Sequence, residues 1–87
     1  MTSIEKLIVK YIDEKFGFPY LDYSREEQIW TNEFFLFDIK TKTMFVNDEV
    51  KVNLYKKYGE GFIQKVLPTV INAWFKKTYK LEVKEVE

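Results

Sequence analysis

Four acidic residues, Asp22, Glu26, Glu27 and Glu33, lie close together in the sequence and are the side chains best suited to acid–base chemistry. Two carboxylates with separated pKa values can act as general acid and general base. The 87 residues include neither histidine nor cysteine, so the commonest general base, the thiol nucleophile and the usual zinc ligands are missing. Clusters of this kind are more often solvated charges, and we expect a protein that is not an enzyme.

Other patterns that could hold a cofactor or a metal have simpler explanations. The run Asn47-Asp48-Glu49 lacks the spacing of a calcium loop and fits a helix N-cap. No glycine-rich phosphate loop is present, because Gly17 and the pair in Gly59-Glu60-Gly61 fit helix ends. The sequence therefore predicts no cofactor and no metal.

The charges are distributed unevenly along a chain of zero net charge. Acidic residues prevail in 1–39 and basic residues in 40–80. Segment 49–78 can be interpreted as a helix-turn-helix whose second helix presents Lys65, Asn72 and Lys76 to DNA. Its wide apolar face and Pro68 favour an ordinary core helix instead. Nucleic-acid binding through 40–80 is thus the alternative function, and its candidate residues are Lys40, Lys42, Lys56, Lys57, Lys65, Lys76 and Lys77.

The aromatic segment 18–23 carries the preferred functional hypothesis. Eight Phe, six Tyr and two Trp are more aromatic residues than a thin core of this size requires, so some should lie at an interface. Tyrosine-rich loops bind proteins at a low entropic cost. The alternative is that the loop covers the core as a lid. The candidate contact residues are Phe18, Tyr20, Leu21, Asp22, Tyr23 and Trp30.

Helical spacing dominates the N-terminal part of the chain. Thr2 and Glu5 form a capping box, and apolar residues from Ile4 to Phe16 predict a helix over 3–16 that ends in a left-handed Gly17. Ser24 and Glu27 repeat the capping pattern and predict a short helical turn at 25–30.

The rest of the chain predicts a hairpin, two helices and a last strand. Residues 33–46 predict a hairpin whose first strand is central, and Asn47 opens a helix of about ten residues. The segment 59–61 breaks this helix, Phe62 begins a longer one, and Pro68 kinks or interrupts it. Alternation of apolar and polar residues at 80–84 predicts a third strand that pairs with the hairpin.

These elements predict an α+β fold in a single domain, 1–87, in the order α-β-β-α-α-β, with an antiparallel hairpin and a C-terminal strand packed on three helices. The expected core is Ile4, Leu7, Ile8, Ile12, Phe35, Phe37, Met44, Val46, Leu54, Phe62, Val66, Ile71 and Phe75.

No apolar run approaches the length of a membrane span, and the first residues do not resemble a signal peptide, so we expect a cytoplasmic protein. The predicted function is a small intracellular protein-binding module: an adaptor, an inhibitor or an assembly subunit. Its partner would be a protein, a second copy of the chain in a homodimer included. The Lys-, Phe- and Ile-rich composition fits an A/T-rich genome and an accessory gene of a virus or mobile element.

Overall fold

The computed structural model describes residues 1–17 and 20–87, where the chain forms three helices and a five-stranded mixed sheet. This confirms the α+β class. The helices are α1 (Ser3–Ile12), continued by a π-helical turn (Asp13–Gly17), α2 (Asp48–Tyr58) and α3 (Glu60–Tyr79). The strands are β1 (Asp22–Ser24), β2 (Ile29–Thr31), β3 (Phe35–Asp38), β4 (Thr43–Val46) and β5 (Glu85–Val86).

The strands follow one another across the sheet in chain order, β1-β2-β3-β4-β5. The first four are antiparallel neighbours, whereas β5 runs parallel to β4. The predicted hairpin is present as β3 and β4, with Phe35 opposite Val46 and Phe37 opposite Met44. As predicted, β3 is the central strand, which leaves β1 and β5 as the two edges.

One face of the sheet packs on α3 and forms the core. The Trp74 ring lies 4.7 Å from that of Phe35, and the Phe75 ring 4.6 Å from that of Phe37. The buried apolar residues are Ile8, Val9, Ile12, Phe16, Leu21, Phe35, Phe37, Met44, Val46, Val50, Leu54, Ile63, Leu67, Val70, Ile71, Trp74, Phe75 and Val83. Three expected core residues are instead exposed: Ile4, Leu7 and Phe62.

The end of the first helix differs from the prediction. The capping box of Thr2 and Glu5 is present, but α1 changes to a π-helical turn after Ile12. Gly17 does not have the left-handed conformation that we predicted. It is required for close approach, because a Cβ there would lie 2.9 Å from Cζ2 of Trp74.

The start of α2 confirms the prediction, whereas α3 is longer than expected. The Asn47 side chain accepts a hydrogen bond from the Glu49 N–H at 2.7 Å, which caps α2. Gly59, at φ 96°, separates the two helices, and Gly61 already belongs to α3. Pro68 lies inside α3 without interrupting it. Pro68 and Gln64 are both exposed, so water can reach the Gln64 carbonyl that Pro68 leaves without a helical donor.

The short helical turn predicted at 25–30 is replaced by a second hairpin. Ser24 Oγ does accept a hydrogen bond from the Glu27 N–H at 3.4 Å, as in a capping box. The chain nevertheless turns back, with Gln28 at φ 56°, because β1 and β2 pair on either side of the turn. The observed order is therefore α-β-β-β-β-α-α-β.

The last strand also lies later than predicted. Helix α3 continues to Tyr79 and ends in a left-handed Lys80 at φ 62°, so the strand forms at Glu85–Val86 and not at 80–84. The alternating residues before it are used for packing: Val83 is buried, and its N–H donates to Asn72 Oδ1 at 2.8 Å.

Candidate functional site

The hairpin β1–β2 places two of the predicted contact residues opposite each other. Tyr23 pairs with Trp30 across the strands, and their ring centroids are 5.0 Å apart. Tyr23 is 49 % exposed and Trp30 is half-buried. Tyr20, just before the strand, is 65 % exposed. We call Tyr20, Tyr23 and Trp30 the aromatic edge, because they lie on and beside the outermost strand pair of the sheet.

Ring contacts connect the aromatic edge to the core. The Trp30 ring is 5.0 Å from that of Tyr79, and the Tyr79 ring is 4.9 Å from that of Phe75. Tyr23, Trp30, Phe37 and Met44 follow one another in register on the same face of the sheet. The exposed ring of Tyr23 therefore rests on packed rings, which limits its freedom before any partner binds.

Leu21 fixes the backbone beside the aromatic edge. Its side chain is only 4 % exposed, and its N–H donates to the Tyr79 hydroxyl at 2.7 Å. Leu21 thus belongs to the core and lies beneath the surface that we predicted it to form. Phe18, another predicted contact residue, lies outside the described residues. The segment combines a core anchor at Leu21 with the exposed ring of Tyr20.

Acidic groups surround this edge. Burial raises the pKa of Tyr79, the Leu21 N–H opposes that rise, and the charges of Asp13 and Asp22 add to it. Asp22 is exposed on β1, while Asp13 and Glu14 line a cleft of about 310 Å³ together with Gly17 and Tyr20. Asp13, Glu14 and Asp22 therefore place three carboxylates around the aromatic edge.

Asp22 points to the sheet face opposite the core. In register with it on that face lie Thr31, Leu36 and Phe45. Leu36 is half-buried and Phe45 is 42 % exposed. In this row, Thr31 separates the carboxylate of Asp22 from the apolar surface of Leu36 and Phe45.

The lysines of the nucleic-acid alternative do not converge on one element. Lys40 and Lys42 lie in the β3–β4 turn, Lys56 and Lys57 in the last turn of α2, and Lys65, Lys76 and Lys77 along α3, all exposed.

Two of these lysines already contact other side chains. Lys76 Nζ lies 3.0 Å from Glu82 Oε1, and this hydrogen bond, with the charges of Lys76 and Lys42, lowers the pKa of Glu82. Lys57 Nζ lies 4.8 Å from the centroid of the Tyr11 ring. Asn72 holds the Val83 N–H, so the C-terminal segment occupies part of the helix face that would approach DNA.

A cleft of about 620 Å³ lies between α1 and α3, where the Trp74 indole N–H donates to Asp13 Oδ1 at 3.2 Å. Among residues 1–17 and 20–87, no group of three acidic side chains is placed to hold a metal ion. In the same residues, no helix has the length and apolar character needed to cross a membrane.

The exposed apolar pair on α1 and the central position of Tyr79 were not predicted from the sequence. Ile4 is 43 % and Leu7 59 % exposed, one helical turn apart. The apolar stripe of α1 also includes buried Val9 and is wider than α3 alone can cover. This width was the available signal that part of the stripe is exposed. Nothing in the sequence marked Tyr79, because its contacts with Leu21 and Trp30 come from distant segments.

Comparison of the chain with protein families, with curated proteins and with solved structures found no match.

Proposed function

We propose that the chain is a non-catalytic protein-binding module whose contact surface is the aromatic edge. The observation that carries the proposal is the combination of exposure and support: Tyr23 is half exposed, yet its ring rests on Trp30, which rests on Tyr79. Rings held in this way lose little conformational freedom on binding and can bury a large apolar area.

A comparison with the other exposed apolar residues supports the choice of this surface. Ile4 and Leu7 are aliphatic and lie on a single helix, so they offer a partner neither polar groups nor a strand edge. The aromatic edge adds tyrosine hydroxyls, and Asp22 adds a carboxylate on the other face of β1, so a partner that binds along this strand meets both apolar area and polar groups.

Two double variants test the proposal. Tyr20→Ala with Tyr23→Ala removes the exposed rings, whereas Ile4→Ala with Leu7→Ala removes the apolar pair on α1 and serves as the matched control. The immobilised chain is used to capture partners from an extract of cells that express it. The Tyr variant should lose a partner that the wild type and the control retain, while its circular dichroism stays unchanged. A partner lost only in the α1 variant would place the interface on α1.

Light scattering of the wild type measures whether the partner is a second copy. Self-association that the Tyr variant abolishes would make the chain a homodimer through the aromatic edge. A monomer at all concentrations, together with capture of a different protein, identifies an adaptor or an inhibitor.

Nucleic-acid binding through 40–80 is the competing hypothesis. The spread of its lysines over a turn and two helices, and the pairing of Lys76 with Glu82, speak against a single phosphate-binding surface. Electrophoretic mobility of duplex DNA and single-stranded RNA at several salt concentrations separates the hypotheses. Sub-micromolar binding that weakens steeply with salt would favour the nucleic-acid function.

A further inference from the structure

We propose that β1 accepts an extended, basic peptide segment of the partner as an additional strand of the sheet. This inference rests on the proposed function and names the kind of partner that the aromatic edge fits. Within residues 1–17 and 20–87, β1 has a neighbour on one side alone, so its outer backbone groups face away from the sheet. Such a strand is a template for main-chain pairing with another segment.

The register of β1 dictates which side chains an added strand would meet. Tyr23 lies on the same sheet face as Trp30 and Phe37, whereas Asp22 and Ser24 lie on the other face. A residue opposite Tyr23 would therefore lie against an aromatic ring. Its two neighbours in the added strand would lie beside Asp22 and Ser24. The site thus selects a segment in which apolar and basic residues alternate.

The charge around β1 determines which charge the added segment should carry. Asp22 lies on the strand, and Glu26 and Glu27 lie in the turn that follows, against a single basic residue, Arg25. Asp13 and Glu14 line the cleft beside Tyr20. A lysine- or arginine-bearing segment is attracted to this edge at long range and fixed in register by Asp22.

The same charges argue against a second copy as the occupant. Two β1 strands paired with each other would bring two acidic turns together, and like charges at a strand pair are destabilising. An acidic or neutral peptide would lack the attraction that compensates for the short ladder of a three-residue strand. The partner is therefore a different, basic chain.

The probe is a seven-residue peptide, acetylated and amidated, in which lysine alternates with valine or tyrosine. It is added to the full chain labelled with ¹⁵N, and amide shifts are followed by NMR. The expected result is saturable binding with the largest shifts at residues 22–24. A peptide of the same composition, with its lysines gathered at one end, should bind at least fivefold more weakly.

Backbone pairing is tested with two N-methylated versions of the alternating peptide, one methylated at the lysines and the other at the residues between them. In an added strand, alternate N–H groups point to β1, so one version should lose binding and the other keep it within about threefold. Equal binding by both versions, or no saturable shift at residues 22–24, would overturn strand addition.

Charge is tested with Asp22→Lys and with Glu85→Lys at the opposite edge of the sheet, which changes the net charge equally. Asp22→Lys should weaken binding at least tenfold and Glu85→Lys less than twofold. Equal weakening by both substitutions would mean that the peptide is attracted unspecifically, and it would overturn the proposal. Shifts at residues 22–24 that depend on protein concentration without peptide would also overturn it, because they indicate pairing with a second copy. If Tyr20→Ala with Tyr23→Ala abolishes partner capture while the peptide tests fail, the proposed function stands and strand addition is wrong.

Discussion

The two edges of the sheet are built differently. At one edge, the hairpin β1–β2 supports exposed aromatic rings on Tyr79, and Leu21 anchors the chain beside them. At the other edge, β5 has only two residues, runs parallel to β4 and precedes the chain end. Polar side chains of α3 fasten that end: Asn72 accepts from the Val83 N–H, and Lys76 contacts Glu82.

This difference separates the roles of the edges. The C-terminal edge strand is short and the segment before it is fastened to α3, and its exposed side chains are charged, which is how natural proteins protect a sheet edge. At the aromatic edge, β1 also has a neighbour on one side, but this edge carries the exposed rings of Tyr20 and Tyr23. We infer that the first edge serves stability and the second serves binding.

Removing residues 81–87 should cause the largest loss of stability. The truncation removes buried Val83 and half-buried Leu81 and Val86, and so exposes the core beneath them. It also removes backbone hydrogen bonds, such as the one from the Val46 N–H to the Glu87 backbone oxygen at 2.8 Å. We expect unfolding to become easier by about 3–5 kcal/mol in urea titrations. Glu85→Gln, an exposed change in the same segment, is the control. An unchanged melting temperature on truncation would mean that β5 contributes nothing.

At the aromatic edge, neighbouring residues should respond in opposite ways. Leu21→Ala removes a buried side chain and should cost about 2–4 kcal/mol, whereas Tyr20→Ala should cost less than about 1 kcal/mol. When both variants are compared under conditions in which they are folded, Tyr20→Ala should weaken partner binding more than Leu21→Ala does. Urea titration gives the stabilities. A large loss for Tyr20→Ala would mean that the segment is a core lid and that the interface lies elsewhere.

The fold class, the three helices and the hairpin β3–β4 followed from local patterns. The capping box at Thr2, the N-cap at Asn47 and the apolar run from Phe34 to Phe37 are read within a few residues, and the structure has a helix or a strand at each of them. The hairpin β1–β2 was missed because its turn lacks the Asn-Gly signal, and Ser24 with Glu27 imitates a helix start. Only the pairing of Tyr23 with Trp30 decides between the two, and a single sequence does not reveal that pairing.

For the candidate site, composition identified the surplus of aromatic residues but not their division between core and surface. Tyr20 and Leu21 are adjacent, yet one is exposed and the other buried, because Tyr79 fixes the backbone between them from 58 residues away. The exposed Leu7 shows the same limit on α1. Its spacing is that of a core residue, but α1 packs on α3 through Ile8, Val9 and Ile12.

Asn72 and Lys76 should contribute unequally to the C-terminal edge. Asn72→Ala leaves the N–H of buried Val83 without its acceptor and should cost about 1–2 kcal/mol. Lys76→Ala breaks an exposed ion pair with Glu82 and should cost less than about 0.5 kcal/mol. Chemical denaturation measures both, and NMR shifts at residues 81–87 report the detachment. Equal costs would mean that the ion pair holds the segment as firmly as the amide does.

The smallest expected effect is a pH response of opposite sign at the two edges. The hydrogen bond from Lys76, and then its charge, lower the pKa of Glu82 below the ordinary 4.5. The contribution of Glu82 to stability is therefore present above that value and is lost as the pH falls through the lower folded-state pKa. Because Glu82 is exposed, its share is small and weakens further with salt. Glu82→Gln should remove it.

At the aromatic edge, burial raises the pKa of Tyr79 above the ordinary 10.0, with Asp13 and Asp22 adding to the rise. The contribution of Tyr79 to stability is therefore complete below pH 10.0 and is lost as the pH rises through its folded-state pKa. Urea midpoints between pH 8 and 11 should fall less steeply for Tyr79→Phe than for the wild type. A residual fall remains, since burial and Tyr11 also raise the pKa of Tyr58. Equal slopes for the variant and the wild type would mean that the Tyr79 phenol is as accessible in the fold as in the unfolded chain.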